Sequence, residues 1–381
     1  MTKSFFNRDA LSSIGKWWLD IDKVNFLIII IIMIFGLMIT ATSSPAIAKK
    51  IDVDKFFFLK KQLIFAVIAV FLMIFFSFLE NEAIKILGIV GILVAILMLI
   101  FVLFFGVEIK GAKRWFSLMG FAMQPSEFAK TFFVITNAFI LQKFSSEKFA
   151  KKYGFSSALF CLIAILLILQ PDFGMTITLT ALWASQLFIF GLPNFLILIF
   201  AIMAFIGALG AYLLLPHVED RINRFLNADE KNYQVERSLD AFVNGGFLGT
   251  GQGNGVVKKF IPDAHTDFVF AVIGEEYGAL SCVMLLLLFG YLITRIVKRA
   301  LDEKDLFVYL SLFGLMMQFT MQVIINIGVS LRLFPTKGMT LPFISYGGSS
   351  MMAMAICFGL IMAFTKRKYH SGLDYGNIKM L

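Results

Sequence analysis

Lys258-Lys259-Phe260-Ile261-Pro262-Asp263-Ala264-His265-Thr266-Asp267-Phe268-Val269-Phe270-Ala271-Val272-Ile273-Gly274-Glu275-Glu276-Tyr277-Gly278 carries the chain from a polar loop into an apolar helix with carboxylates at its mouth. Hydrocarbon strips water from a carboxylate and disfavours its charged form, so an acid survives at that edge mainly where a partner or a reaction holds it. Asp267 is therefore the leading catalytic candidate. The plainer expectation is that Thr266 or Asp267 caps the first turn, since both residue types accept hydrogen bonds from free helix N–H groups. Glu275 lies eight residues beyond Asp267 and Glu276 nine. That is about 12 Å up a helix axis, too far for direct proton exchange. Both are expected to be supporting groups paired with bases on other helices.

Composition sets the class. The chain is 59% hydrophobic with 45 Phe residues and 15% charged residues, whereas charged residues make up about a quarter of a soluble domain. An all-α integral membrane protein is expected. No short apolar stretch with a small-residue cleavage site precedes the first long one, so the first span is expected to double as the targeting signal. Cys161, Cys282 and Cys357 fall in apolar runs without short spacing and suggest neither disulfides nor a zinc site. A formal net charge of +9 could draw nucleic acid, but the basic residues are scattered through the loops of a membrane protein. Anionic lipid or a phosphorylated substrate fits that pattern better, and nucleic acid is set aside.

A membrane span needs about 20 mostly apolar residues. Such runs fall at roughly 24–41, 59–79, 83–106, 126–142, 155–170, 174–190, 194–216, 267–294, 305–331 and 347–365, about ten helices with both termini on one side. Residues 1–381 read as a single polytopic domain interrupted by a large extracytoplasmic loop, 217–266, between helices 7 and 8. Lys and Arg divide almost evenly between the two sides, so the positive-inside rule barely orients the chain. With the N-terminus inside, the outer face is basic enough to suit an anionic ligand.

Residues 113–116, Lys-Arg-Trp-Phe, suit a short helix lying at the interface, with aromatic rings at headgroup depth and cations toward phosphate. Glu127 and Lys130 then lie three apart on one helix face, spaced to pair within the membrane boundary. In Gln170-Pro171-Asp172-Phe173-Gly174 the break between two spans holds a carboxylate, expected either to line a cavity or to cap a turn. The large loop carries Arg221, Arg224, Gln234 and Ser238, followed by glycines at 245, 246, 249, 251, 253 and 255. Glycines let backbone N–H groups form anion-binding concavities, and two arginines three apart can grip phosphate. The stretch is not a Walker loop, because Gly-Lys-Ser/Thr is missing. His265 could act as a switch or ligand, but His217 and His370 are distant and no histidine metal cluster is indicated. Between the last two spans, two prolines, Lys337, paired glycines, Ser345 and Ser349 describe an ordered re-entrant loop.

Together Lys113-Arg114-Trp115, Gln124-Pro125-Ser126-Glu127-Phe128-Ala129-Lys130, Gln170-Pro171-Asp172-Phe173-Gly174, Gly249-Thr250-Gly251-Gln252-Gly253, 264–276 and Leu341-Pro342-Phe343-Ile344-Ser345-Tyr346-Gly347-Gly348-Ser349-Ser350 resemble the SEDS family of bacterial cell-wall polymerases. Pro335-Thr336-Lys337-Gly338 is similar to its cell-division (FtsW) branch more than to its elongation branch. The resemblance runs over nearly all ten spans in order. It implies a peptidoglycan glycosyltransferase of the inner membrane that polymerises lipid II outside the cytoplasm at the division septum, with both termini cytoplasmic. It also implies a class B penicillin-binding transpeptidase as partner, alongside other division proteins. Asp267 would be the general base. Arg221, Arg224, Lys113, Arg114 and Lys337 would hold the departing diphosphate, with Gln234, Ser238, His265, Ser345 and Ser349 as further substrate-binding candidates. Glu127, Lys130, Asp172, Glu275 and Glu276 would be supporting charges. No ligand cluster calls for a metal or other cofactor, although a divalent cation could share the task. A lipid II flippase would also use a basic outer face and membrane carboxylates, and in a proton-coupled transporter Glu127, Asp172, Glu275 and Glu276 would form a relay.

Overall fold

The structure is a computed structural model that describes residues 13–109, 112–118, 121–214, 218–220, 223, 225 and 233–366. A short helix α1 (Ser13–Asp20) precedes α2 (Lys23–Lys50), α3 (Phe57–Ser77) and α4 (Asn81–Phe105). Three strands follow, β1 (Val107–Ile109), β2 (Ala112–Leu118) and β3 (Phe121–Met123). Then come α5 (Pro125–Lys143), α6 (Phe149–Leu169), α7 (Phe173–Phe190), α8 (Asn194–Leu214), α9 (Tyr233–Gly245), α10 (Val269–Leu301), α11 (Leu306–Ser330) and α12 (Gly348–Phe364).

Ten of these helices, α2 to α8 and α10 to α12, occupy the ten expected stretches. Among the described residues seven are long and apolar enough to cross a membrane on length and composition, and α12 is a shorter apolar helix. Their outward faces carry large apolar side chains such as Phe71, Leu97, Phe104 and Phe188. In water that exposure would be costly, whereas in hydrocarbon it is matched by the solvent. Local chemistry sets the ends. Asp22 caps α2 by accepting from Val24 N at 3.1 Å and Asn25 N at 3.2 Å, and Asp305 caps α11 at Phe307 N, 2.8 Å. Asp22 also holds Arg295 through two 2.8 Å bonds, tying the start of α2 to the far part of α10.

Residues 113–116 form no interfacial helix. They belong to β2, which runs antiparallel to β1 in the register Glu108 with Lys113 and to β3 in the register Phe116 with Met123. Only two residues separate the strands in sequence at each link, Lys110-Gly111 and Met119-Gly120, a spacing that suits hairpins. Alternation puts Lys113 and Arg114 on opposite faces of the strand.

Helix α10 is not one rod. Gly278 has φ 77° and ψ 174° inside it, so the segment is two helices joined at a break. A break leaves carbonyls on one side and N–H groups on the other without helical partners. The glycine-rich stretch supplies them: Thr250 N and Gly251 N donate to the carbonyls of Glu275 and Glu276 at 2.9 and 3.0 Å. On the far side Ala279 N and Leu280 N donate to the carbonyls of Gly246 and Phe247 at 2.9 and 3.2 Å. These backbone groups mend a helix, which replaces the expectation of an anion-binding concavity there.

Candidate functional site

Asp267 lies in a turn just before α10, half-buried, with Phe268 standing at the cap position. Three elements fix it. Its N–H donates to the Asp263 carbonyl at 3.1 Å, and its carbonyl accepts from Asn326 Nδ2 of α11 at 2.9 Å. The same Nδ2 donates to the Met339 carbonyl at 2.6 Å. Its carboxylate rests against Gly338, where an added Cβ would stand 2.8 Å from Oδ2. Beside it, Ser345 Oγ donates to the Thr266 carbonyl at 2.5 Å and accepts from Leu341 N at 2.8 Å, while Tyr346 N donates to the His265 carbonyl at 2.8 Å. Residues 337–346 thus form an ordered, non-helical platform under residues 265–267, as the two prolines and paired glycines suggested.

His265 is buried between the rings of Phe58 and Tyr346, at 4.7 and 5.3 Å between centroids. Burial, opposed by the Asp263 carboxylate, pushes the imidazole down to about 4, so it is neutral at pH 7. Ser349 accepts from Gln124 N and donates to the Ala122 carbonyl, both at 3.3 Å, joining β3 to α12. Ser238 is buried and donates to the Ser330 carbonyl at 2.7 Å, and Gln234 sits half-buried a turn earlier on α9. These hydroxyls are engaged with backbone. Arg221 and Arg224 lie outside the described residues.

A second set of charges meets at Lys337. Its ammonium donates to the Gly174 carbonyl and, at 2.7 Å, to Thr178 Oγ1, so one residue before Gly338 the platform is fastened to α7. Glu127 and Lys130, both buried, pair at 2.9 Å as their spacing predicted. Asp172 caps α7 through Met175 N at 3.3 Å, and it also lies 3.9 Å from Arg114 Nε and 3.4 Å from Gln124 Nε2. The expected capping contact is present, and a guanidinium shares the carboxylate. Arg114 further donates to the carbonyls of Gln170, at 3.3 Å, and Pro171. Burial first, and then the Lys130 ammonium, push Lys337 down to about 7 against the pull of Asp172 and Glu127. Lys113, exposed on the other face of β2, borders an open cavity of about 210 Å³ with Glu108 and Pro171.

Of the two expected pairings with bases, Glu276 has one, with Lys258 in the short helical turn Val257–Phe260 and not on another span, whereas Glu275 is held by backbone N–H groups and an amide. Glu275, fully buried, accepts from Val256 N and Val257 N at 2.7 Å, Lys258 N at 2.8 Å and Asn244 Nδ2 at 2.9 Å. Glu276 pairs with Lys258 of the loop itself and accepts from Thr42 Oγ1 at 2.7 Å. The glycines explain the difference, because they bring the loop backbone down onto the helix before any distant base can reach. Asn326 and Gly338 were not singled out from the sequence. The available signal was the row Gln318, Gln322, Asn326 and Ser330, buried polar residues at every fourth position of an otherwise apolar helix. Among the described residues no group of three His, Cys, Asp or Glu is placed to hold a metal ion.

The sequence model of the FtsW/RodA/SpoVE family, described as cell cycle protein, matches residues 22–370. A relative from Caulobacter vibrioides named probable peptidoglycan glycosyltransferase FtsW is 33% identical over 365 residues, spanning 95% of this chain and 94% of that one. Another of that name, from Thiomicrospira cyclica, is 35% identical over 91% of this chain and 93% of its own. Among solved structures, a chain of a peptidoglycan synthase complex described as coordinating polymerization and crosslinking superposes with a TM-score of 0.77 at 28% identity, covering 91% of this chain and 98% of that one. The rod shape determining protein RodA of Thermus thermophilus gives 0.69 at 27% identity, covering 91% and 97%.

Proposed function

Because the chain belongs to the FtsW/RodA/SpoVE (SEDS) family of cell cycle proteins, we propose that it is a peptidoglycan glycosyltransferase of the cytoplasmic membrane that polymerises lipid II at the outer face during cell division. Both termini are then cytoplasmic and the 217–266 loop extracytoplasmic. In the reaction, a sugar hydroxyl attacks an anomeric carbon; a new glycosidic C–O bond forms as the bond to the diphosphate breaks. The hydroxyl proton passes to Asp267, and the electron pair leaves with undecaprenyl diphosphate. The observation that carries the reading is the seating of Asp267 at the mouth of α10, with its carboxylate against Gly338 and its carbonyl held by Asn326. A general base must be held within hydrogen-bond reach of the hydroxyl it serves. Developing charge on the diphosphate calls for cations, for which Arg221, Arg224, Lys113, Arg114 and Lys337 are the candidates. A class B penicillin-binding transpeptidase is the proposed partner, in line with the likeness to a chain of a synthase complex.

The test is polymerisation of lipid II by the purified chain, with and without that transpeptidase. Glycan strands from the native chain, and none from a normally expressed Asp267→Asn variant, are expected. Strands from Asp267→Asn would remove the acid from the mechanism, and translocation of lipid II without polymer would favour a flippase.

A further inference from the structure

We propose that Asn326 and Gly338 form a clamp that positions the Asp267 carboxylate, an inference that rests on the reading of Asp267 as the base. Asn326 is fully buried on α11. Carbonyl oxygens can only accept, so its amide must present N–H groups to both Asp267 O and Met339 O, at 2.9 and 2.6 Å. One side chain thereby fastens the backbone of the acid to the residue that follows Gly338. Gly338 in turn supplies the space: a Cβ at that position would stand 2.8 Å from Oδ2 and 3.4 Å from Cγ of Asp267. The first contact fixes where the acid's backbone is, and the second fixes how far its carboxylate can reach toward the platform.

The platform is held from its other side as well. Phe343 takes a left-handed φ of 63°, which a bulky residue adopts only where surroundings impose it. Its carbonyl and Ile344 pack against Gly36 of α2, where a Cβ would come within 2.6 Å of Phe343 O. Gln62 of α3 donates to the Ser345 carbonyl at 3.1 Å, and Gln322, one turn before Asn326, donates to Thr340 O and Oγ1 at 3.1 Å. Residues 339–346 therefore cannot follow Asp267 if the acid shifts. Strain of this kind, carried beside an acid and held by three helices, is what a rigid mount for a reacting group requires.

Asn326 holds only the backbone of the acid, and Gly338 meets the carboxylate without a polar side chain of its own, so neither takes up the proton and the expected effect falls on turnover rather than on substrate affinity. A misplacement of about 1 Å costs on the order of 100-fold in rate. In the full chain with its proposed transpeptidase, Asn326→Leu and Gly338→Ala are expected to lower kcat for lipid II polymerisation by about 10- to 100-fold, with KM unchanged. Asn326→Gln, which keeps the amide N–H donors, recovers part of the lost kcat. Thermal unfolding and partner binding report whether each variant is folded, and if Asn326→Leu is not, Gly338→Ala decides, because it removes no hydrogen bond. A native kcat for Gly338→Ala, or a loss that lies in KM alone, overturns the clamp. Asp267→Asn run in parallel separates the two readings: activity there overturns the base and the clamp with it, whereas an inactive Asp267→Asn beside fully active clamp variants overturns the clamp alone.

Discussion

Gly278 and Gly249 meet backbone to backbone at the break in α10: a Cβ on Gly249 would stand 2.7 Å from the Gly278 nitrogen, and one on Gly278 would stand 2.6 Å from the Leu248 carbonyl carbon. Both take left-handed φ values, 77° and 85°. The contact lets loop amides replace the hydrogen bonds that the broken helix lacks.

Gly278→Ala is therefore expected to lower stability by about 3 kcal/mol, from a strained φ together with a backbone collision. Gly290, in the same helix, has open space where its Cβ would go. Gly290→Ala should be neutral or stabilising by up to about 1 kcal/mol. Thermal unfolding of the two variants in the same detergent checks the contrast, and equal effects would show that the break has no structural role.

Glu276 and Lys258 form a buried pair in which each neutralises the other. Removing one partner leaves an uncompensated buried charge, so Glu276→Ala is expected to cost about 3–5 kcal/mol. The double change Glu276→Leu with Lys258→Met removes both charges and should recover most of that loss. Thermal unfolding of the single and double variants tests it, and a double variant no better than the single one would mean that the bonds to Thr42 matter more than the charges.

Protonation of His265 gives stability a pH dependence with a definite sign. Burial lowers its folded pKa to about 4 from an ordinary 6.5, so between those values the unfolded chain binds more protons than the folded one. Stability contributed by the neutral imidazole is fully present above about pH 6.5 and is lost as pH falls toward 4, about 3 kcal/mol in all at 1.36 kcal/mol per unit. His265→Phe keeps the ring between Phe58 and Tyr346 and should flatten that part of the profile, read as the unfolding midpoint at pH 4, 5, 6 and 7.

The helices were legible because hydrocarbon imposes one rule on every span: runs such as 83–106 and 155–170 have no other reading. The pair Glu127 and Lys130 was legible for the same reason, since spacing within one helix decides it. Contacts between distant segments were not. The glycines at 245–255 suit a ligand cradle and a patch on a broken helix equally well, and only the position of Gly278 beside them distinguishes the two. Lys113 and Arg114 look like one cationic group until the pleat separates them. Asn326 carries no motif of its own; its place opposite Asp267 depends on how α11 meets a loop 59 residues earlier.

That separation on β2 yields the last expectation. Arg114 faces inward and spends its guanidinium on the carbonyls of Gln170 and Pro171 and on Asp172, while Lys113 stays exposed beside an open cavity. Arg114→Ala removes the guanidinium from the carbonyls of Gln170 and Pro171 and from Asp172, which keeps only Met175 N and Gln124 Nε2, and should cost about 2–3 kcal/mol. Arg114→Lys should recover only part, because one ammonium cannot span two carbonyls and a carboxylate as a planar fork does. Lys113→Ala should change stability by less than about 0.5 kcal/mol. If Lys113 meets the diphosphate of the substrate, that same change raises KM for lipid II, and the rise shrinks as ionic strength increases because exposed charges are screened. A Lys113→Ala variant with native KM at low salt would take this residue out of the phosphate-binding set and leave the task to Arg221, Arg224, Arg114 and Lys337.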